Sequence, residues 1–287
     1  MRPKVGHIQF LNCLPLYYGL VKSSALLDIE LIKGTPTELN SLLINGDLDI
    51  SPISSIEYAR HHQTLLLFPE FTVSSDGAVK SIILISPYPI EKLSGKRVAL
   101  TNTSSTSHVL LKFIMNEGYG IEPDYITCQP DLKRMLSNAD AALLIGDIAL
   151  KYYVNSEGFY LYDLGLEWKK LTGRKMVYAV WAVNRKFAEI KSELCKYVFE
   201  IFKKSMEHSM RHLTEIAEYA SRWEPFSRDF LTKYFASLRF NFSQDYREGL
   251  IHFYKVAKEI GELKEVPELE FVNINYIYKK NKVGPLR

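Results

Sequence analysis

Cysteine is scarce in this chain. Three occur among 287 residues, Cys13, Cys128 and Cys195. They are far apart and odd in number, which gives neither a disulfide framework nor the paired spacing of a zinc site. The seven histidines include no HExxH or comparable arrangement, so the sequence does not support a metal centre. No apolar run reaches the length that spans a bilayer, and no Gly-rich phosphate loop of the Walker kind is present. An excess of one charge is also lacking. The 36 basic and 33 acidic residues leave a net charge of +3, too small and too scattered for a nucleic-acid surface. The run Lys279-Lys280-Asn281-Lys282 reads as a solvated tail rather than a binding patch. Met1-Arg2-Pro3-Lys4 leads directly into the first strand with no apolar leader, so the expected compartment is the cytoplasm.

What is present is the composition of a globular protein, 47% hydrophobic and 24% charged, in a chain long enough for two cores. The first half alternates strand and helix patterns. Strands are expected near 5–11, 28–33, 48–52, 65–68 and 79–86, with helices near 15–22, 36–44 and 55–61. Thr35-Pro36-Thr37-Glu38 is a helix entry, with Thr35 as N-cap and Pro36 at the first helical position, and Asn45-Gly46 is its stop. Such alternation predicts βαβ units and a largely parallel sheet. Ser86-Pro87-Tyr88-Pro89 breaks the pattern. A second unit then repeats it, with strands near 94–100, 125–128 and 141–145 and helices near 108–117, 131–137 and 147–153. The apolar run from Val177 to Val183 can return the chain to the first unit. Beyond it, amphipathic helices are expected near 186–210, 212–222, 228–236 and 244–260, with Ser227 and Ser243 as candidate N-caps.

The expected fold is therefore α/β, a two-lobed clamshell of the type II periplasmic-binding-protein kind with a helical C-terminal region. Lobe 1 is expected to hold residues 1–86 and 184–287, and lobe 2 residues 87–183. Crossing segments near Ser86 and Val183 would act as a hinge around a cleft. Open α/β sheets bind small ligands at the carboxyl ends of their strands, and helix N-termini there attract anions. Asn12, at the end of the first strand, is either a turn former or a carboxamide able to donate to and accept from a ligand. Its neighbour Cys13 has no basic partner beside it and reads as a small buried hydrophobe. The hydroxyl-rich turn Thr101-Asn102-Thr103-Ser104-Ser105-Thr106-Ser107 suits a carboxylate at a helix start, or is an ordinary N-cap. Ser54 and Ser55 repeat that arrangement in the first lobe, with Ser55 as the candidate cap. Ser81 is expected near the cleft floor. Gly146-Asp147 is a further strand-to-helix junction, where Asp147 is most simply an N-cap. His7 is expected to be a satisfied structural histidine.

Several of these segments together resemble the chorismate dehydratases of the futalosine route to menaquinone. They run from Ile8-Gln9-Phe10-Leu11-Asn12-Cys13-Leu14-Pro15-Leu16 through Asp49-Ile50-Ser51-Pro52-Ile53-Ser54-Ser55-Ile56-Glu57-Tyr58-Ala59 to Ser75-Asp76-Gly77-Ala78-Val79-Lys80-Ser81. Ala99-Leu100-Thr101 through Thr106-Ser107 follow, then Leu143-Leu144-Ile145-Gly146-Asp147. The series ends with Tyr162-Asp163-Leu164-Gly165-Leu166-Glu167-Trp168 and Tyr178-Ala179-Val180-Trp181. The resemblance implies the same clamshell and a lyase that removes water from chorismate to give 3-[(1-carboxyvinyl)oxy]benzoate, with no metal or organic cofactor. It implies that Asn12 and Ser81 are active-site residues and that Ser104, Thr106 and Ser107 hold a carboxylate. Thr103, Ser105, Ser54, Ser55, Gly146 and Asp147 complete the expected substrate-binding set. Ser105 stands where many relatives are expected to carry Arg, and Arg174-Lys175-Met176 replaces a more apolar stretch. The expected partner is a small dicarboxylate, with neither nucleic acid nor membrane. The alternative from a different class is a non-catalytic small-carboxylate-binding protein of the same fold.

Overall fold

The computed structural model describes residues 2–22 and 25–274; the Lys279-Lys280-Asn281-Lys282 run lies outside them. The first half builds β1 (Lys4–Ile8), α1 (Leu14–Lys22), β2 (Glu30–Gly34), α2 (Pro36–Asn45), β3 (Ile50–Ser54), α3 (Ser55–His61) and β4 (Leu65–Ser75). A second series follows with β5 (Ile82–Ser86), β6 (Arg97–Thr101), α4 (Ser105–Phe113), β7 (Asp124–Cys128), α5 (Leu132–Leu136), β8 (Ala141–Ile145), α6 (Gly146–Val154), β9 (Tyr160–Asp163), α7 (Leu164–Thr172) and β10 (Met176–Asn184). The remainder is helical, α8 (Arg185–Ile190), α9 (Ser192–Arg211), α10 (Leu213–Ser221), α11 (Arg228–Ser237) and α12 (Gln244–Glu259).

Two five-stranded sheets result, ordered β2-β1-β3-β10-β4 and β7-β6-β8-β5-β9. In each, three neighbouring strands are parallel, a fourth (β10 or β5) lies antiparallel beside them, and the outermost strand (β4 or β9) is antiparallel to that fourth and so runs with the first three. The expected alternation is therefore correct for the parallel part of each sheet. The crossings fall earlier than the sequence suggested. β5 already pairs in the second sheet and β10 already pairs in the first. The chain thus changes sheets at 76–81 and at 173–175, not after Ser86 and at Val183. Ser86-Pro87 ends a strand, but that strand is held on both sides, by β8 and β9.

Local chemistry explains several boundaries. Thr35 caps α2 in a full capping box, since Thr35 Oγ1 accepts from Glu38 N–H while Glu38 Oε2 accepts from Thr35 N–H at 2.8 Å. Gly46, at φ 83°, closes that helix in the left-handed conformation. Ser227 caps α11 through Phe230 N–H at 3.2 Å, whereas Ser243 occupies the N-cap of α12 without a side-chain bond. The helix expected over 186–210 is two helices that part at Lys191. β9 and α7, absent from the sequence reading, begin a junction with consequences for the crossing.

That junction is Asp163. It caps α7, accepting from Gly165 N–H at 3.0 Å and Leu166 N–H at 3.1 Å. The same carboxylate accepts from Val79 N–H at 3.0 Å and Lys80 N–H at 2.6 Å in the crossing segment. Lys80 is held at φ 64°, a conformation that L side chains adopt reluctantly. Close packing leaves no room for a side chain at Gly165, where a Cβ would meet Gly77 O at 2.5 Å and the Tyr178 hydroxyl at 2.4 Å. The first crossing is thus bound to the start of α7, with Tyr178 of β10 packed beside it.

The C-terminal helices tie the fold together. α9 packs along α1, and α12 packs against α3, α4 and β10. Tyr254 of α12 donates to Ser55 O at 2.8 Å. Glu262 just beyond α12 pairs with Arg60 of α3 and with Lys112 of α4. One continuous apolar core joins these helices to both sheets, and Trp168 and Trp181 are fully buried in it.

Candidate active site

The carboxyl ends of β1, β3 and β8 and the amino end of β5 face one cleft between the sheets. Its cavity volume is about 60 Å³, and it is lined on its polar side by Asn12, Ser54, Ser81 and Ser104, with Gly146 beside them. Ile8, Phe10, Val73 and Tyr178 supply much of the apolar wall. None of the lining residues is charged.

Each polar group reaches the cleft for a local reason. β1 ends at Ile8, and a single 3-10 turn, Leu11–Cys13, then turns Asn12 into the cleft. The Asn12 Oδ1 is buried and has no hydrogen-bond partner among the described residues. A buried amide oxygen without a partner is expensive unless a ligand satisfies it. Ser81 directly follows the strained Lys80, is 1% exposed, and its hydroxyl makes only a long 3.4 Å contact to Val79 O. Its carbonyl accepts from Gly146 N–H at 2.8 Å, which brings the start of β5 to the start of α6. Gly146 sits at φ 65° with the Phe10 ring against it, and an added Cβ would lie 3.1 Å from that ring. Glycine is required there by both the conformation and the close approach.

The hydroxyl-rich turn divides in two. α4 begins at Ser105 rather than His108, because Ser104 caps it by accepting from Ser107 N–H at 3.3 Å. Ser104 lines the cleft. Thr103 bonds the Thr101 hydroxyl at 2.8 Å, and Ser105 is the first residue of the helix. Ser107 is fully buried and turns its hydroxyl back to Ser104 O. Thr106 faces the first sheet, where its hydroxyl meets Ser55 Oγ at 3.3 Å and accepts from Ile56 N–H at 3.2 Å. Ser55 is not the cap of α3; that position is Ser54, without a side-chain cap bond, and Ser55 donates to Val177 O at 2.8 Å. Ser54 N–H is itself held by Asn40 Oδ1 at 3.2 Å. Of the expected set, Asn12, Ser54, Ser81, Ser104 and Gly146 meet at the cleft, while Ser55 and Thr106 join its two walls.

Asp147 is likewise not an N-cap, a position taken by Ile145. Its carboxylate reaches across the cleft mouth and accepts from Leu11 N–H at 2.9 Å. It lines a side pocket with His7, Trp223 and Glu224. Burial pushes its carboxyl up to about 6, and nearby Glu224 adds to the rise. A carboxyl with a raised folded-state value favours folding most below its ordinary range, and that contribution is lost as the pH rises towards about 6. At neutral pH the ionised form costs the fold on the order of 3 kcal/mol. Asp147→Asn keeps an acceptor for Leu11 N–H and removes the charge. It is expected to raise the unfolding midpoint at pH 7.5 and to leave it unchanged at pH 3.5. Equal melting of the two proteins at both pH values would remove this assignment.

The remaining titratable groups near the cleft are poor bases. Burial and then Lys33 lower His7 to about 4, and its ring packs on Tyr17 at a centroid distance of 4.0 Å. His7 is packed but not satisfied, since Nδ1 has no partner among the described residues. Cys13 is 1% exposed and burial pushes its thiol up, as expected of a small buried hydrophobe. Burial also pushes the Tyr178 phenol well up. The Arg174-Lys175-Met176 stretch lies away from the cleft, with Lys175 paired to Asp245 at 2.9 Å. Among the described residues no group of three His, Cys, Asp or Glu side chains is placed to hold a metal ion, and no helix is long and apolar enough to cross a membrane.

Sheet order, paired crossings and a cleft between the two sheets define a type II periplasmic-binding-protein fold. Solved structures agree. A protein of Archaeoglobus fulgidus superimposes with a TM-score of 0.74 at 19% identity, over 91% of this chain and 98% of its own. A Candida albicans protein described as having the generic periplasmic binding protein fold gives 0.70 at 15% identity, over 94% and 93%. Within that fold the chain belongs to the menaquinone biosynthesis family, whose model matches residues 3–259. A chorismate dehydratase of Thermus thermophilus is 30% identical over 269 residues, 88% of this chain and 94% of the relative.

Proposed function

We propose that this chain is a chorismate dehydratase, a carbon–oxygen lyase that converts chorismate to 3-[(1-carboxyvinyl)oxy]benzoate and water in menaquinone biosynthesis. The observation that carries this reading is the near full-length match to the Thermus thermophilus chorismate dehydratase. An uncharged cleft with unpartnered neutral polar groups is compatible with it.

Chorismate carries a ring carboxylate and an enolpyruvyl carboxylate. Its ring C3–H is conjugated through a ring double bond to the ring carboxylate. When that proton leaves, the electron pair spreads towards the carboxylate, then forms the C3–C4 double bond as the C4 hydroxyl departs. Proton and hydroxyl together make the water released, and the ring becomes aromatic. The start of α4 at Ser104 and the start of α6 at Gly146 both open on the cleft. Their partial positive ends favour the carboxylates and the charge that develops on one of them. Asn12 and Ser81 orient the substrate, with Ser81 donating to the departing hydroxyl. Since neither Cys13 nor Tyr178 is ionised at neutral pH, the proton passes to the substrate's enolpyruvyl carboxylate or to a bound water. The two sheets act as lobes that close on the substrate. Ser55 and Ile56 N–H with Thr106, Asp147 with Leu11 N–H, and Thr37 with Asn102 O are among the bonds that join the two lobes.

Purified protein incubated with chorismate is expected to consume it with the growth of aromatic absorbance from a single benzoate product. Unchanged chorismate would overturn the reading and leave a carboxylate-binding protein in its place.

A further inference from the structure

α11 lies far along the chain from the strand ends, yet it carries Tyr234 to a position beside Ser81. Tyr234 is 0% exposed, and its hydroxyl has no hydrogen-bond partner among the described residues. Its ring is held by Phe230 in a stacked arrangement at 6.3 Å and by Phe235 at 5.7 Å. Packing alone would be served as well by phenylalanine, because a buried phenol without a partner is costly. The Ser81 hydroxyl is similarly underused, with its single long contact to Val79 O.

We infer that Tyr234 is a positioning residue for Ser81: its phenol O–H donates to Ser81 Oγ, so that the Ser81 hydrogen points into the cleft at the departing hydroxyl instead of back at Val79 O. Ser81 is the cleft-lining member of the pair, and Tyr234 acts through it. Burial pushes the phenol far above its ordinary range, and nearby Asp147, Cys13 and Asp163 add to that. It therefore carries its proton at neutral pH. Asn12 was legible as a site residue from its strand end and Ser81 from the turn that leads into its strand; Tyr234 was not, because its neighbours in sequence are ordinary helix.

This inference rests on the proposed chorismate dehydration. The test compares wild type, Tyr234→Phe, Ser81→Ala and the double variant for kcat and KM on chorismate, together with the unfolding midpoint. Tyr234→Phe is expected to lower kcat about 10- to 100-fold, to leave KM within about twofold, and to melt close to wild type, since Ser81 Oγ–H keeps Val79 O as an alternative partner. In the Ser81→Ala background the same change is expected to cost less than about twofold, since the two act as one unit. Full kcat in Tyr234→Phe, a loss that persists undiminished in the Ser81→Ala background, or a large fall in melting temperature would overturn the assignment while the function stands. A wild type that does not turn over chorismate overturns the function and this assignment with it.

Discussion

Asn12→Ala is expected to lower turnover of chorismate by at least about 100-fold, a loss in the range typical of a removed orienting or transition-state contact. The folded protein is expected to be nearly untouched. Asn12 Oδ1 is buried at the cleft and bonds to nothing among the described residues, so its removal strands no donor. Alanine also suits the short 3-10 turn, whose capping bonds are made by backbone groups. The discriminating measurement is kcat/KM on chorismate beside a thermal melt. Full turnover in a folded Asn12→Ala protein would take Asn12 out of the mechanism. A collapse of the melting temperature would instead show that the side chain holds the turn. Asn12→Asp is a sharper companion. It keeps the shape but places a carboxylate against a dicarboxylate substrate, and is expected to weaken KM as well as kcat.

The strand ends were readable because the elements leading to them obey local rules. The alternation around Thr35-Pro36-Thr37-Glu38 gave α2 with its capping box, and the same logic put Asn12, Ser54, Ser104 and Gly146 at strand ends, with Ser81 read from the turn before its strand. What the sequence could not reveal depends on pairing between distant segments. β5 and β10 were assigned to the wrong sheets because an apolar strand reads the same in either; only their antiparallel partners decide it. Thr106 and Ser107 read as ligand hydroxyls because the cap at Ser104 starts the helix three residues before His108, which turns both inward. Asp147 shows the same limit. Its position after Gly146 suggested a cap, but its partner is Leu11 N–H, 136 residues away. Asp163 did carry a local signal, an acid at a strand end followed by Leu164-Gly165, which is a recognisable helix entry. Its second set of partners, in the crossing, has no local signature.

Those partners make Asp163→Ala the substitution with the largest expected effect on stability. The carboxylate is 5% exposed and takes four backbone N–H groups, two at the start of α7 and two in the crossing at Val79 and Lys80. Alanine leaves all four without an acceptor in a buried place and releases Lys80 from its left-handed conformation. Bonds to a charged acceptor contribute about 1.5–3 kcal/mol each, and they are not additive when shared. A total of about 3–5 kcal/mol is expected, which corresponds to a fall of roughly 10 °C in a domain of this size. Asparagine is a poor repair. Oδ1 serves Val79, Gly165 and Leu166 while Oδ2 takes Lys80 N–H at 2.6 Å, so whichever way an amide is turned, an NH2 meets a donor. Asp163→Asn is therefore expected to lose more than half of what alanine loses. Because Ser81 directly follows Lys80, turnover should fall in both variants even at temperatures where they remain folded. Thermal unfolding and chorismate turnover measured on the same samples check this. An Asp163→Ala protein that melts with wild type would show that the crossing at 76–81 is held by packing around Gly165 and Tyr178 alone.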